Sequence, residues 1–353
     1  MPAKSQEPRA KRNLFKIFFD WFLRRPESGI ILILVVFVTI VTIVNPTFLS
    51  WSNVVNILRA SGFTMISVVG MSMILITGGL DLSIGSTFAL GAVLCGLAIT
   101  DWGLPVPVGI LIGLLLGAAC GTVNGLLIVK TGIPPMIVTL GMQYALRGTV
   151  SVLTKGVPIY PLPEAFTDLE PTKFFDIPII VLIAIVIAII GHFALSSTYF
   201  GRSVYALGGN QEAARISGIN IQRTKMLVYI LMGVLVAFAG MMTSSRLGSA
   251  EPSTGTGLEM KVICGAIIGG ISISGGTGTM LGAALGAVFM EALTNSLTVM
   301  RIDVFWQNVV FGVVMILSVL LDQYKRSLIQ RQSIKNTELK RTAVEAKGSA
   351  GGQ

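Results

Sequence analysis

The sequence has 353 residues, of which 53% are hydrophobic and only 12% are charged, and its mean hydropathy is +0.79. So little polar surface excludes a soluble protein of this length, and apolar runs of roughly 20 residues indicate a polytopic membrane protein. The net charge of +9 does not indicate a nucleic-acid site, because the cations are not spread over one folded face. Of the 26 Lys and Arg residues, seven lie in residues 1–25, seven in residues 322–353 and four in residues 201–225.

Apolar runs predict ten membrane-spanning helices with both chain ends on the cytoplasmic side. The predicted spans are residues 29–45, 54–77, 84–100, 106–129, 134–153, 177–196, 226–245, 258–275, 279–299 and 304–321. Lys130 and the loop 201–225, called the basic loop below, then lie inside, and the acidic stretch 154–176 lies outside. We therefore expect an all-α integral membrane protein with three parts. These are a basic cytoplasmic segment at residues 1–28, a transmembrane domain at 29–323 and a disordered cytoplasmic tail at 324–353.

Two glycine-rich segments interrupt the apolar pattern, at residues 78–85 and 269–278. Residues 78–92 and 269–283 share seven of fifteen positions without gaps, which suggests an internal repeat. A competing register pairs residues 79–82 with 257–260 and would imply inverted halves. Breaks at membrane depth are stable only where freed backbone groups meet protein or water, so they indicate a permeation path. A tight turn between packed helices is the preferred interpretation for 269–278, whereas Asp81 leaves both interpretations open for 78–85.

Few charges fall in or near the apolar runs, and each costs about 2.5 to 3.5 kcal/mol at the bilayer centre unless it faces a partner, a cavity or an interface. Arg147, Glu259 and Lys261 lie near predicted helix ends, where long side chains can extend to the interface. Glu291 falls inside a predicted span. The polar residues that could line a path are Asp81, Ser83, Asn124, Thr139, Gln143, Glu291 and Asn295. Each could instead form hydrogen bonds between helices.

No catalytic or metal-binding pattern is present in the sequence. The single histidine, His192, has no ligand partner at metal spacing, and Cys95, Cys120 and Cys264 lie in apolar runs, where packing is the expected role. The phosphate-binding pattern G-x-x-x-x-G-K-[ST] does not occur. We therefore expect no enzyme activity and no bound cofactor; if ATP drives this protein, a second protein binds the ATP.

The basic loop contains a pattern that predicts a short surface helix. Glu212 would lie in its first turn, where a negative charge is favourable, and Gly218 can end it. Small side chains at Ala213 and Ala214 would permit close docking of a partner. The alternative is a solvated turn.

Three elements of the chain carry a resemblance: the glycine-rich segment 78–85, the run from Ala206 to Ile219 and the segment 269–278. In this order they resemble the permease subunits of bacterial ABC importers for monosaccharides of the ribose type. The similarity covers about residues 30–323, which would make that region the permease domain. It implies the fold of vitamin B12-type importer permeases, a permease homodimer in the inner membrane and transport by alternating access. The implied partners are two cytoplasmic ATPase subunits, which use ATP and Mg²⁺, and a periplasmic sugar-binding protein.

The resemblance assigns contact with the ATPase to eight residues of the basic loop. They are Gly209, Asn210, Glu212, Ala213, Ala214, Arg215, Gly218 and Ile219. The solute is not named by the sequence: a ribose- or xylose-like pentose, a hexose, an autoinducer sugar and a nucleoside all fit. An ion-coupled secondary transporter with ion sites at Asp81 and Glu291, and a membrane scaffold without transport, are the alternatives from other classes.

Overall fold

The protein is described here by a computed structural model that covers residues 27–303, 305–320, 322–324 and 327. The predicted basic segment 1–28 and tail 324–353 therefore lie outside the described residues except at their inner edges. The helices are α1 (Ser28–Val44), α2 (Trp51–Ile76), α3 (Ile84–Thr100), α4 (Val106–Thr131), α5 (Pro135–Thr154), α6 (Glu164–Thr167), α7 (Ile179–Ser197), α8 (Tyr199–Gly209), α9 (Gln211–Ile216), α10 (Ile221–Leu247), α11 (Leu258–Ile268), α12 (Met280–Val299) and α13 (Phe305–Tyr324). A 3₁₀ helix covers Pro46–Leu49, and strands β1 (Lys173–Phe174) and β2 (Ile177–Pro178) form an antiparallel pair.

The prediction of a polytopic, helical membrane protein is confirmed. Seven of the described helices, α2, α4, α5, α7, α10, α12 and α13, are long and apolar enough to cross a membrane, and α1 and α3 are shorter apolar helices. Most helix ends lie within a few residues of the predicted spans, and a turn at residues 77–83 separates α2 from α3. The predicted span 258–275 is too long, because α11 ends at Ile268 and Gly270 takes a positive φ of 94°.

Short connections between successive long helices give the bundle two distinct ends. One end, called the basic end, carries the basic loop together with the turns at residues 77–83, 132–134 and 269–279. These turns touch one another, since Gly276 N donates a 2.8 Å hydrogen bond to the carbonyl oxygen of Ile76. The other, acidic end carries residues 155–178, where Ile159 pairs with Ala250 of the 248–257 loop.

Helix α2 lies at the centre of the bundle, and α10, α12 and α7 pack around it. From Ser61 onwards nearly all of its side chains are buried. By contrast, α13 and the outer faces of α1 and α7 expose Leu, Ile, Val and Phe side chains. In a membrane protein such outward apolar faces meet lipid, so the core here is a central helix enclosed by a partial ring of lipid-facing helices.

Helix α4 carries a glycine at every fourth position, and all but the first of these glycines face α10; Gly109 faces α3 instead. A Cβ at Gly117 would overlap the carbonyl oxygen of Gly233, and a Cβ at Gly233 would overlap that of Gly117. One turn further along, a Cβ at Gly121 would overlap the carbonyl oxygen of Tyr229. Membrane helices lack a hydrophobic drive to associate, so backbone contact through small residues supplies their van der Waals attachment. The α4 glycines are Gly109, Gly113, Gly117, Gly121 and Gly125.

We predict that Gly121→Ala lowers the stability of the bundle by about 1 to 3 kcal/mol, because the added methyl group meets only backbone atoms of α10. The matched control is Gly148→Ala on α5, where a Cβ has nothing within 4 Å. The control should keep or slightly raise the thermal midpoint of the detergent-purified protein, since alanine favours helix over glycine. Equal midpoints for the two variants would contradict the role given to this contact.

Candidate functional site

The basic loop is built from short helices whose starts are all capped by side chains. Thr198 Oγ1 accepts from Gly201 N at 3.1 Å before α8, and Asn210 Oδ1 accepts from Ala213 N at 3.0 Å before α9. Asn220 Oδ1 accepts from Arg223 N at 2.9 Å before α10. N-terminal caps satisfy amide groups that a helix leaves without partners. Three caps within about two dozen residues therefore give the loop a defined, angular path instead of a flexible one.

The predicted surface helix is present as α9, with the predicted features at each end. Glu212 lies in its first turn and forms an exposed ion pair with Arg215 at 3.3 Å. Gly218 follows the helix with φ +80°, and its N–H donates to the carbonyl oxygen of Arg215. Ile216, at the helix end, is 84% exposed. A single exposed apolar side chain does not by itself mark a contact surface, so the partner that would cover it stays a prediction.

At its inner side the basic loop meets both glycine-rich segments, in what we call the glycine junction. A Cβ at Gly208 of α8 would overlap the carbonyl oxygen of Ile76 at the end of α2. A Cβ at Gly275 would lie 2.8 Å from the amide nitrogen of Gly78 and 3.1 Å from Cα of Gly208. The junction comprises residues 76–78, 208–209 and 275–276.

Tyr205 adds a side-chain contact to the junction, because its hydroxyl donates a 2.8 Å hydrogen bond to the carbonyl oxygen of Gly278. The three segments that the sequence marked separately are thus one packed unit. Sequence reasoning included Gly208 in the resemblance but gave it no role, and it gave none to Gly275 or Gly276. The paired glycines at 208–209 and 275–276 could have indicated this close backbone contact.

We predict that Gly208→Ala loosens α8 from the bundle, because its methyl group would meet the backbone of Ile76. Gly209→Ala is the matched control, since a Cβ there has nothing within 4 Å. Amide hydrogen exchange across residues 199–209 should become faster in the first variant and keep the native rate in the second. Native exchange in both would show that the close approach does not hold α8.

The predicted path residues belong to four different hydrogen-bonded groups. At the basic end, Asp81 Oδ1 accepts from Ser83 Oγ at 2.6 Å, and Ser83 Oγ accepts from Asn124 Nδ2 at 2.9 Å. Thr139 Oγ1 accepts from Leu82 N at 3.0 Å beside them. All of these polar side chains are buried. This group therefore joins α4 and α5 to the turn between α2 and α3.

The other three predicted path residues form hydrogen bonds outside that group, although Gln143 lies one turn from Thr139 on α5 and Asn295 lies one turn from Glu291 on α12. Gln143 Nε2 donates to Glu259 Oε1 at 3.3 Å, and the Glu291 carboxylate meets Lys261 Nζ at 3.2 Å. Thr64 Oγ1 also donates to this carboxylate. The side-chain amides of Asn295 and Asn53 exchange two hydrogen bonds near the acidic end.

These contacts test the expectation that Arg147, Glu259 and Lys261 extend to the membrane interface. The interpretation that Lys261 and Glu259 extend to the interface is wrong, because both side chains are paired inside the bundle. Arg147 instead donates from Nη1 to the carbonyl oxygens of Pro252 and Thr254, at 2.7 and 3.0 Å. It thereby holds the 248–257 loop against α5.

One buried charge pair escaped the sequence analysis. Arg59 Nε lies 3.3 Å from Glu170 Oε1, and the Glu170 side chain is fully buried although it belongs to the loop at the acidic end. Burial raises the pKa of Glu170, and the guanidinium groups of Arg59 and Arg246 offset part of this effect. No local pattern could have paired two residues so distant in the sequence. The pair attaches the acidic loop to α2.

Among the described residues no group of three or more His, Cys, Asp or Glu side chains is placed to hold a metal ion. Cys95, Cys120 and Cys264 are free thiols and are buried, as their apolar surroundings predict. His192 lines an apolar groove between α7 and α12 with Met65 and Met280.

A helical bundle with lipid-facing apolar helices and a capped helical loop at one end is a multi-pass membrane protein. The chain belongs to the family of branched-chain amino acid transport system permease components, whose model matches residues 53–319. Similar proteins include the ribose import permease protein RbsC of Bacillus subtilis, which is 37% identical over 88% of this chain and 96% of that protein. The autoinducer 2 import system permease protein LsrC of Enterobacter sp. is 35% identical over 87% of this chain and 89% of its own length.

A third relative, the L-arabinose ABC transporter permease protein AraH of Azospirillum brasilense, is 34% identical over 88% of this chain and 90% of its own length. No solved structure matches the chain. The resemblance to import permeases of the ribose type is confirmed by these matches. The chain is thus a transport subunit of the inner membrane and belongs to a family that does not catalyse a reaction on its solute.

Proposed function

We propose that this chain is the membrane-spanning subunit of an ABC importer that carries a monosaccharide into the cell. The observation that carries the proposal is the similarity, over most of the chain, to permeases named for ribose and L-arabinose. A permease named for xylose is also 31% identical over 78% of the chain. Because one relative is named for autoinducer 2, that solute is the second candidate.

The proposed architecture has ten spans, with both chain ends in the cytoplasm, in the manner of vitamin B12-type importers. To the seven long helices and the apolar α1 and α3 it adds α11, which has only 11 residues and would cross together with the loop before it, whose Gly255 lies against Gly85 at the start of α3. The basic end faces the cytoplasm, because cations are retained on that side of the membrane. The acidic loop then faces the periplasm.

In the proposed complex, two copies of the chain associate with two cytoplasmic ATPase subunits and receive solute from a periplasmic binding protein. The chain itself binds no cofactor; ATP and Mg²⁺ belong to the ATPase. The proposed contact with the ATPase is α9 and its flanks, with Gly209, Asn210, Glu212, Ala213, Ala214, Arg215, Gly218 and Ile219. Closure of the ATPase pair would displace α9 and with it α8.

The glycine junction supports this mechanism on physical grounds. Backbone atoms in direct contact cannot absorb a displacement by changing rotamer, so movement of Gly208 passes to Ile76 and Gly275. These residues end α2 and precede α12. A displacement at the basic loop would therefore reach α2 and α12, which pack against each other, at the same time and shift both relative to the outer helices, as alternating access requires.

We propose that the solute contacts Gln143 and Asn295 along its path, because the side chains of these two residues are partly exposed. Asp81, Ser83, Asn124 and Glu291 are buried in hydrogen-bonded groups and are proposed to keep the surrounding helices in register. Asp81 and Glu291 belong to different hydrogen-bonded groups, and the similarity to import permeases favours the ABC mechanism over ion coupling.

We predict that Gly218→Pro abolishes ATP-dependent ribose uptake while the protein still inserts into the membrane. Proline fixes φ near −65°, whereas Gly218 has φ +80°. Gly218→Asn should retain most uptake, because asparagine tolerates the left-handed region. Uptake is measured in proteoliposomes that contain the ATPase subunit and the binding protein. Accumulation driven by an ion gradient with no ATPase present would contradict the proposed function.

A second prediction concerns orientation. Single cysteines at Asn210 and Asp168, both exposed, should react with a membrane-impermeant maleimide from opposite sides: the first only from the cytoplasm, the second only from the periplasm. Background should be low, because the three native cysteines are buried. Labelling of both positions from one side would overturn the proposed topology.

A further inference from the structure

A groove of about 600 Å³ lies at the basic end beside the proposed ATPase contact. One wall is the turn between α4 and α5, with Gly132, Ile133 and Pro134. The opposite wall is formed by Gln211 and Arg215 of α9 and by the start of α10. The turn and α9 are distant in the sequence, and the turn has no place in the contact surface assigned so far. We call this cavity the basic-end groove.

The wall formed by the turn is stiff. Gly132 takes the left-handed conformation with φ +72°, and Pro134 and Pro135 lead directly into α5. Between them, Ile133 donates its N–H to Thr131 Oγ1 at 3.3 Å and leaves its side chain 40% exposed. Two prolines and a hydrogen bond restrict the backbone that carries this apolar side chain before any partner arrives, so little backbone entropy is lost on binding.

The opposite wall is stabilised by a hydrogen bond between α9 and α10. Lys225 Nζ of α10 donates to Gln211 Oε1 of α9 at 3.2 Å. This contact ties α9 to the first turns of α10 and keeps the groove open beside Arg215. Both walls are therefore set by contacts within the chain.

The groove combines apolar and cationic groups in a way that specifies a partner. Ile133 lines one wall with an exposed apolar side chain, and Arg215 and Lys225 line the other. Ile216, next to Arg215 but outside the groove lining, adds exposed apolar surface beside it. The basic loop has four Lys or Arg residues against one Glu, which gives it a net charge of +3. An acidic side chain flanked by apolar residues matches this surface. Because α9 is itself one rim, a partner seated on α9 also covers the groove.

We propose that the α4–α5 turn is a second docking element for the ATPase subunit, with Ile133 as its apolar contact and the groove as the seat for an acidic segment of that subunit. This inference rests on the proposed function, since it needs an ATPase partner. It adds to α9 a fixed contact on different helices. The ATPase would thereby hold α4 and α5 in place while it displaces α9, so that movement occurs between the two walls.

The test uses the full permease co-expressed with its ATPase subunit. Ile133→Glu places a negative charge opposite the acidic segment and should reduce the ATPase recovered per permease about tenfold. Ile133→Leu keeps an apolar contact and should retain wild-type recovery. Val157→Glu, at an apolar side chain that is 62% exposed at the acidic end, is the matched control and should also retain it.

A second measurement guards against misfolding of the charged variant. With Ile133→Cys, a short cross-linker that is thiol-reactive at one end and photoreactive at the other should join the permease to the ATPase, whereas with Val157→Cys it should not. Wild-type recovery of ATPase with Ile133→Glu, or no cross-link from Ile133→Cys, would overturn the inference. It would also be overturned if Ile133→Glu reduced only bound phosphatidylglycerol, measured by native mass spectrometry, because the groove would then be a lipid site. If the wild-type permease recovered no ATPase, the proposed function itself would fail.

Discussion

Gly117 and Gly233 approach so closely that a Cβ on either would overlap the carbonyl oxygen of the other. The same contact recurs between α11 and α12, where Gly269 faces Gly282 and Gly265 faces the backbone at Gly286. In a bilayer the apolar side chains of these helices gain nothing by leaving lipid, so close backbone approach supplies the attachment that a hydrophobic core supplies in water. The distance between α11 and α12 that these glycines set also brings Lys261 within reach of Glu291.

Close backbone contact also determines which parts of the protein move together. At the basic end, Gly208 joins α8 to the end of α2 and to the turn that precedes α12. At the acidic end, α2 and α12 are joined again by the paired amides of Asn53 and Asn295. The two helices are thus linked at both ends, whereas α5 and α13 carry mostly exposed side chains. This difference makes the α2–α12 unit the rigid part of the bundle and leaves the outer helices freer to shift.

The sequence predicted the helices and the basic loop well, because these features depend on local patterns. Apolar runs located the spans, and the spacing of Glu212 and Gly218 predicted α9 and its two ends. The stripe of glycines on α4 was equally readable, at four-residue spacing, but was not used. Pairs such as Arg59 with Glu170 and Lys261 with Glu291 could not be predicted, because nothing local in the sequence specifies which distant helix will face a given charge. For the same reason the candidate path residues could be named individually but not grouped.

Helix α11 has only 11 residues, about 16 Å of helix at 1.5 Å per residue, which is roughly half the thickness of the hydrocarbon core. It also contains Glu259 and Lys261, so it is a poor candidate for release into lipid by itself during synthesis. Its glycines fit α12, and α12 supplies the carboxylate for Lys261. Biogenesis must therefore retain α11 beside the insertion machinery until α12 has been translated, and the two helices enter the bilayer as one hairpin.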